Sequence, residues 1–282
     1  MSDPFETYEL LCDFYIRYIQ TALGLNSDEL EEERDKLLRE SGLLFQVPRF
    51  EPIFPYPSSG KTLSQLGDHL QLPYELGDFL AQGGEDGLAP KARQLYDHQA
   101  AAIKASAIDG EDVVVTTGTG SGKTECFLVP IFSHLIKESL NWNAFGDRSQ
   151  NHPWWRKGER IIGQRVPQRQ GENRPAALRA LILYPLNALV EDQLMRLRRA
   201  CDSPEARRWL RDNRGNNRFY FGRYIGLTPI PGQKKPENLR RLREQLERLR
   251  RQSEKVSDSE QNRYFFPSVD VDTAEMWSRW DM

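Results

Sequence analysis

The first 90 residues show the hydrophobic pattern of short amphipathic helices. Apolar side chains recur at helical spacing in residues 4–23, and an acidic helix is predicted over residues 28–40. Four prolines in residues 43–60 favour an extended connector, and Thr62-Leu63-Ser64-Gln65 fits a capping box that starts another short helix. We therefore predict a small helical N-terminal region over residues 1–90, with a Pro-rich linker.

From residue 91 onwards, apolar runs alternate with helical patterns. The runs at 112–116, 178–184 and 219–228 predict strands. Helical periodicity lies before, between and after them, at residues 98–106, 125–138, 187–200 and 237–255. This alternation predicts an α/β domain over residues 91–282 with a parallel sheet and crossover helices.

Two segments interrupt this alternation. Residues 139–176 contain three tryptophans and several arginines without periodicity, so we interpret them as an insertion loop. A second insertion is predicted near 233–262, where four leucines form a helical stripe (Leu239, Leu242, Leu246 and Leu249). Two heptads are too few for a coiled coil, so the stripe favours packing on the parent domain.

Composition narrows the class of protein. The 282 residues are 38% hydrophobic and 28% charged, and no apolar run approaches the length of a membrane span. The N-terminus lacks a basic region followed by an apolar stretch, which argues against a secretory signal. Three scattered cysteines and four scattered histidines form neither a disulfide framework nor a zinc pattern. We expect a cytoplasmic protein with no membrane partner.

Charge is distributed unevenly along the chain. Residues 1–152 carry roughly 24 acidic and 12 basic side chains, whereas residues 153–251 carry roughly 10 acidic and 24 basic ones. An arginine-rich half suggests a phosphate-backbone partner, because neutralising phosphates releases counterions. An ordinary solvated surface explains the same composition equally well.

The most informative motif is a glycine-rich turn between a β-branched run and a helical segment. Val113-Val114-Val115 precede the turn, which ends in Gly122-Lys123-Thr124. Glycines let backbone N–H groups surround a phosphate, and the following helix adds its positive N-terminal end. Lys123 is expected to reach the β- and γ-phosphates of a nucleotide, and the Thr124 hydroxyl to bind Mg²⁺. Thr117 stands where the general motif has its first glycine, and the competing interpretation is a flexible turn with an incidental lysine.

A second candidate lies about twenty residues before this loop, in Leu95-Tyr96-Asp97-His98-Gln99. A glutamine amide offers a donor and an acceptor that match the edge of adenine, and a nearby aromatic ring can stack on the base. Tyr96 and Gln99 are therefore candidate base contacts. Packing and helix capping are the ordinary roles of such residues.

In this order, the motifs resemble a superfamily 2 DEAD/DEAH-box helicase of the RecQ-related type. Leu95–Gln99 resembles the adenine-reading Q motif, and residues 117–125 resemble motif I, where a small residue such as Thr117 is common. The resemblance implies a RecA-like P-loop fold, ATP and Mg²⁺ as cofactors, and Lys123 and Thr124 as catalytic residues. The nucleotide contacts that it implies are Tyr96, Gln99, Thr119, Gly120, Ser121, Gly122, Lys123, Thr124 and Glu125.

Tyr184–Gln193 resembles motif Ia of these helicases, which touches the backbone of the bound strand. A helix N-terminus at the end of a strand is also an anion site on physical grounds. The implied nucleic-acid contacts are Pro185, Leu186, Asn187, Arg196 and, in a strand resembling the next motif, Gly226. Leu186 stands where many relatives have threonine. We expect the partner to be nucleic acid, with single-stranded DNA favoured.

The sequence lacks the acidic Asp-Glu box that follows motif Ia in these helicases and holds Mg²⁺. It ends at Met282 without a second motor domain. We therefore interpret it as an incomplete first motor domain, the ATP-binding N-terminal portion of a helicase or translocase. The alternatives are a non-catalytic nucleic-acid-binding or assembly subunit and, less favoured because of motif Ia, a P-loop kinase. The Trp-rich insertion and Pro-rich region resemble large bacterial helicases of phage-defence islands, which implies further partners: the remainder of a split helicase or other defence subunits.

Overall fold

The chain divides into two compact units, Met1–Pro55 and Tyr56–Met282. The structure, a computed structural model, describes residues 3–40, 42–46, 48–49, 54–82, 84, 87–144, 153–156, 165–172, 174–225, 234–256, 264–270, 272–278 and 280. The sequence predicts a boundary near residue 90, whereas in this division the described residues between 56 and 90 belong to the second unit. Leu63, Leu76 and Phe79 share a core with Leu128 of the later chain.

The first unit contains the two predicted helices, α1 (Pro4–Ala22) and α2 (Asp28–Leu38). A side-chain hydrogen bond of 2.8 Å from Gln20 to Asp35 joins them. The sequence predicts an apolar face of α1, and the structure buries that face only in part: Tyr8 and Ile19 are half-buried. The residues predicted for it are Phe5, Tyr8, Leu11, Tyr15, Tyr18 and Ile19. Ile16 is buried, whereas Leu11, Tyr15 and Tyr18 of the predicted face are exposed. The correction reflects the partner, since the short, acidic α2 covers only a narrow strip of α1.

The second unit begins with two strands that the sequence pattern did not reveal. Strands β1 (Ser58–Thr62) and β2 (Gln94–Tyr96) pair antiparallel. Between them lie α3 (Leu63–Leu70) and α4 (Glu75–Leu80), and the predicted capping box is confirmed because Thr62 and Gln65 bond to each other's backbone. After β2 comes α5 (Asp97–Lys104), which continues as a π-turn over Ala105–Asp109.

Four longer helices complete the described elements: α6 (Lys123–Ser139), α7 (Asn187–Asp202), α8 (Pro204–Arg214) and α9 (Pro236–Val256). Three of them were predicted within a few residues. Helix α8 was not, although Ser203 caps it and Pro204 occupies its first position, which is a common start signal.

The predicted parallel sheet is not present among the described residues. Residues 112–116 and 178–184 have no regular secondary structure, and neither run pairs with a strand. Several of their apolar side chains are exposed, with Val114 at 87% and Leu183 at 81%, whereas Val115, Ile182 and Tyr184 are half-buried. Of the third predicted strand, Phe221 makes an isolated parallel bridge to Glu275, and residues 226–228 lie outside the described range. An apolar run predicts extended backbone, but pairing depends on which other segments are at hand.

The main core lies where α4, α6 and α8 meet. Phe79 is fully buried at its centre, with ring centroids 4.9 Å from Trp209, 5.2 Å from Phe219 and 5.8 Å from Phe132. These tilted and edge-on arrangements suit the ring quadrupoles. This core fixes helix α6, whose N-terminal end carries the glycine-rich loop.

A second core explains the tryptophans of the predicted insertion. Trp154 and Trp155 are buried with Leu242 and Leu246 of α9 and with Trp277. The Trp155 and Trp277 rings meet edge to face at 4.6 Å. The leucine stripe of α9 therefore packs on its own domain, as predicted.

Buried charges attach the last described segment to α7. The Asp202 carboxylate accepts bonds from the Thr273 hydroxyl at 2.6 Å and the Ala274 N–H at 2.8 Å. Arg198 holds both Glu275 oxygens, at 2.5 and 2.9 Å. These groups therefore have a structural use.

Among the described residues, no helix is long and apolar enough to span a bilayer.

Replacing Phe79 by alanine tests this view of the core. Phe79→Ala removes a ring that contacts three other aromatic rings, so we expect the free energy of unfolding to fall by about 3–5 kcal/mol. Tyr74→Ala is the matched control, because Tyr74 is 81% exposed. Chemical denaturation measures both, and equal losses would contradict the packing described.

Candidate phosphate-binding site

The glycine-rich loop occupies residues 117–122, directly before α6. Gly120 and Gly122 have φ angles of 74° and 70°, in the left-handed region that favours glycine. Gly122 is the N-cap of α6 and makes no side-chain cap, so the first turn of the helix keeps N–H donors for an incoming group. This is the backbone arrangement that an anion needs.

The Lys123 side chain hydrogen-bonds to the backbone of its own loop. Its ammonium donates to the carbonyl oxygens of Thr117 at 2.8 Å and Gly118 at 2.5 Å. The hydroxyls of Thr117 and Ser121 bond at 2.6 Å, so the threonine at the first-glycine position helps to shape the turn. Phosphate oxygens would have to replace the two carbonyls. The same ammonium then lies where the phosphates would be held.

The Gln99 side chain hydrogen-bonds the loop to the backbone of β2. Its side chain is 2% exposed, with Oε1 accepting from the Tyr96 N–H and Nε2 donating to the Gly122 carbonyl, both at 2.9 Å. His98 is bonded to the Ser121 carbonyl at 2.8 Å. The structure therefore gives Gln99 a positioning role, and a direct contact with adenine would require this buried amide to be uncovered.

Tyr56 is a site residue that sequence reasoning missed. Its ring lies 5.5 Å from both Tyr96 and His98, and a Cβ added to Gly118 would stand 2.7 Å from its hydroxyl. The pairing of β1 with β2 brings Tyr56 here from the proline-rich connector. Only that long-range pairing could have revealed it, since its own surroundings in the sequence are typical of a linker.

A cavity of about 790 Å³ lies beside the loop. Its lining includes Lys123, Thr124, Asp112 and Tyr184 together with apolar side chains of α6. Thr124 is half-buried, as a hydroxyl ligand for a metal held mainly by phosphates and water would need to be. The described residues contain no cluster of three carboxylate, histidine or cysteine side chains that could bind a metal without such help.

The predicted nucleic-acid residues fall into three groups. Pro185, Leu186 and Asn187 are exposed at the start of α7, where no side chain caps the helix. Arg196 instead faces Glu125, with 3.5 Å between guanidinium and carboxylate. Gly226 lies outside the described residues. The other α7 arginines have partners within the chain: Arg198 pairs with Glu275, and Arg199 lies over the Tyr264 ring.

Comparison with known proteins supports a helicase-type domain here. Residues 96–218 match the DEAD/DEAH box helicase family. The chain is also 33% identical over 230 residues to the "Druantia protein DruE" of Escherichia coli (strain UMEA 4076-1), which covers 81% of this chain. The chain spans 11% of that relative's length. No solved structure matches this chain. The family match supports a helicase-type domain over residues 96–218 and does not test the RecQ-related type.

Adding a methyl group to Gly122 tests the support that Gln99 gives. Gly122 and Gly110 have φ angles of 70° and 71°, so alanine costs a similar backbone strain of about 1–2 kcal/mol at each. At Gly122 the new Cβ would also stand 2.3 Å from Gln99 Nε2, whereas nothing lies within 4 Å at Gly110. We expect Gly122→Ala to lower the free energy of unfolding by about 1–3 kcal/mol more than Gly110→Ala. Equal losses of unfolding free energy in denaturant titrations would show that the Gln99 side chain moves away at little cost.

Proposed function

We infer that this chain binds ATP with Mg²⁺ as the nucleotide-binding part of an ATP-dependent nucleic-acid helicase or translocase. The observation that carries the inference is the loop itself, with two left-handed glycines, a helix N-terminus and the ammonium of Lys123 at one place. The helicase-family match over residues 96–218 surrounds this loop.

The neighbouring residues divide the work of holding a nucleotide. Backbone donors of residues 119–122 and the Lys123 ammonium would bind phosphate oxygens, and the Thr124 hydroxyl would be one ligand of Mg²⁺. Bound Mg²⁺ neutralises charge on the phosphates. The rings of Tyr56, Tyr96 and His98 supply a stacking surface for the base on the side of Gly118.

The start of α7 is the proposed nucleic-acid contact, with single-stranded DNA as the favoured partner. Pro185, Leu186 and Asn187 are exposed there and the first-turn N–H groups have no cap, so a backbone phosphate can approach. Such contacts carry no base information, and the binding would be independent of sequence.

The apolar runs at 112–116 and 178–184 fit the strands of a RecA-like sheet. Both runs expose apolar side chains, Val114 and Leu183 among them, and both contribute residues to the lining of the same cavity. Exposed apolar strands of this kind are covered in stable proteins. The relative is far longer than this chain, so we propose further polypeptide as the partner, either the remainder of a split helicase or another subunit.

A non-catalytic subunit that retains a nucleotide pocket is the second candidate. The observation that favours it is the use of Glu275 and Asp202 in buried structural bonds, which removes both from Mg²⁺ binding. Nucleotide binding without any turnover, in the presence of single-stranded DNA and of the remaining polypeptide, would support this candidate over the first.

Removing the Lys123 ammonium tests the nucleotide site. We expect Lys123→Ala to weaken ATP binding at least tenfold, roughly 1.4 kcal/mol, because the main side-chain charge for the phosphates is lost. Lys137→Ala is the control, since Lys137 lies on the same helix in its last turn. Isothermal titration calorimetry with ATP and Mg²⁺ measures both. Equal affinities of wild type and Lys123→Ala would refute the phosphate-loop function.

A single added charge tests the nucleic-acid contact. Asn187→Asp places a carboxylate in the first turn of α7, where we expect it to repel a phosphate and to weaken binding several-fold. Asn238→Asp adds the same charge to the first turn of α9 and serves as the control. Fluorescence anisotropy with a labelled single strand gives both affinities. For the wild type, log affinity should fall linearly with log salt, by about 0.7 per phosphate contact. No binding at low salt, or equal weakening by both variants, would argue against the α7 contact.

A further inference from the structure

Glu125 is a buried carboxylate next to the phosphate loop. It lies in the first turn of α6, directly after Thr124, and its side chain is 4% exposed. Its N–H donates to the Gly122 carbonyl at 3.2 Å, and its Oε2 would lie 2.9 Å from a Cβ placed on Gly122. A change in the position of this carboxylate would therefore alter its contacts with the loop at Gly122.

The charge of Glu125 is only partly compensated. Oε1 lies 3.5 Å from the Arg196 guanidinium and 3.8 Å from that of Arg93. Both distances exceed the 2.7–2.9 Å that is usual for charge-assisted hydrogen bonds. Oε2 has no hydrogen-bond partner in the described part of the chain. A buried carboxylate in this state is stabilised when a hydrogen-bond donor moves closer and destabilised when a guanidinium moves away.

The nearer guanidinium belongs to the helix that begins at the proposed nucleic-acid contact. Arg196 lies on α7, and its side chain is 36% exposed, so it reaches both Glu125 and solvent. The Tyr184 hydroxyl, at the end of the run that leads into α7, is also buried and finds no hydrogen-bond partner among the described residues. Its pKa is raised by burial, and the nearby Arg196 charge opposes that rise. Arg196 is thus a partly exposed cation that lies near two buried groups with incomplete hydrogen bonding.

We propose that Glu125 is a positioning residue that couples the phosphate loop to α7, with Arg196 exchanging between Glu125 and a phosphate of bound nucleic acid. This inference rests on the proposed nucleotide and nucleic-acid binding. When a phosphate draws Arg196 away, Glu125 loses its nearest cation, and its carboxylate shifts towards donors on the loop side, beside Gly122. Because both sites bias one side chain, each ligand changes the affinity for the other by the same factor.

A static role makes a different prediction. A carboxylate in the first turn of a helix stabilises the helix through its dipole, whatever ligand is bound. Glu125→Gln would then change stability, or the affinity for nucleotide alone, without changing the ratio of nucleotide affinities with and without nucleic acid. That ratio is therefore the informative measurement.

The experiment is a double titration of the full chain. The dissociation constant of the non-hydrolysable ATP analogue AMP-PNP is measured with Mg²⁺, with and without saturating single-stranded oligonucleotide. We expect at least a fivefold ratio in the wild type, and a ratio near one in Glu125→Gln and in Arg196→Gln. Glu138→Gln is the matched control, because Glu138 lies on the same helix and pairs with Arg179 at 2.8 Å. It should keep the wild-type ratio.

The outcomes separate the inference from the proposed function. A wild type that binds neither analogue nor oligonucleotide refutes both. If the wild type binds both ligands without linkage, or if Glu125→Gln and Arg196→Gln keep the linkage, only the coupling is refuted. Should Glu125→Gln fail to fold, as shown by thermal unfolding, the partly exposed Arg196→Gln decides alone. Loss of linkage in both variants, but not in Glu138→Gln, establishes the coupling.

Discussion

The hydrogen bond from the Gln99 amide to the Gly122 carbonyl is the constraint on which the site depends. It joins the loop to the junction of β2 and α5, while the other end of the same amide accepts from the Tyr96 N–H. Left-handed glycines alone are flexible, and a loop that must be ordered on binding loses affinity. Because Gln99 is buried, the shape of the loop is set before a nucleotide arrives. The main core contributes by holding α6 in place.

The Lys123 ammonium is hydrogen-bonded within its own loop. Lys123 is held by two carbonyls, which are neutral and therefore weaker acceptors than phosphate oxygens. We therefore expect phosphate oxygens to compete well with the two carbonyls for this ammonium. Glu125 differs, since its nearest cation, Arg196, lies 3.5 Å away and its Oε2 has no hydrogen-bond partner among the described residues. The loop thus lies beside a buried carboxylate whose charge is only partly compensated.

Sequence reasoning succeeded where the signals are local. The loop, helices α1, α2, α5, α6, α7 and α9, and the Thr62 capping box depend on neighbouring residues, and each has a pattern of its own. It failed where long-range partners decide: Tyr56 reaches the site through a strand pair, and the exposed face of α1 follows from a short neighbour. Gln99 bonds to two backbone groups in the structure, which a glutamine suited to adenine can do equally well, so its contact with adenine stays a prediction. The parallel sheet and the individual nucleotide contacts stay predictions.

The unpaired runs at 112–116 and 178–184 link the fold to the loop. Both runs contribute to the lining of one cavity, and Val113 and Tyr184 border it together with Lys123 and Thr124. A segment that pairs with these runs would bury Val114 and Leu183 and would also narrow the cavity beside Thr124. Burial would lower the local dielectric response and strengthen every charge interaction at the loop, including that of Glu125 with Arg196. Coverage of these runs by further polypeptide, as proposed above, would therefore also affect the electrostatics of the phosphate loop.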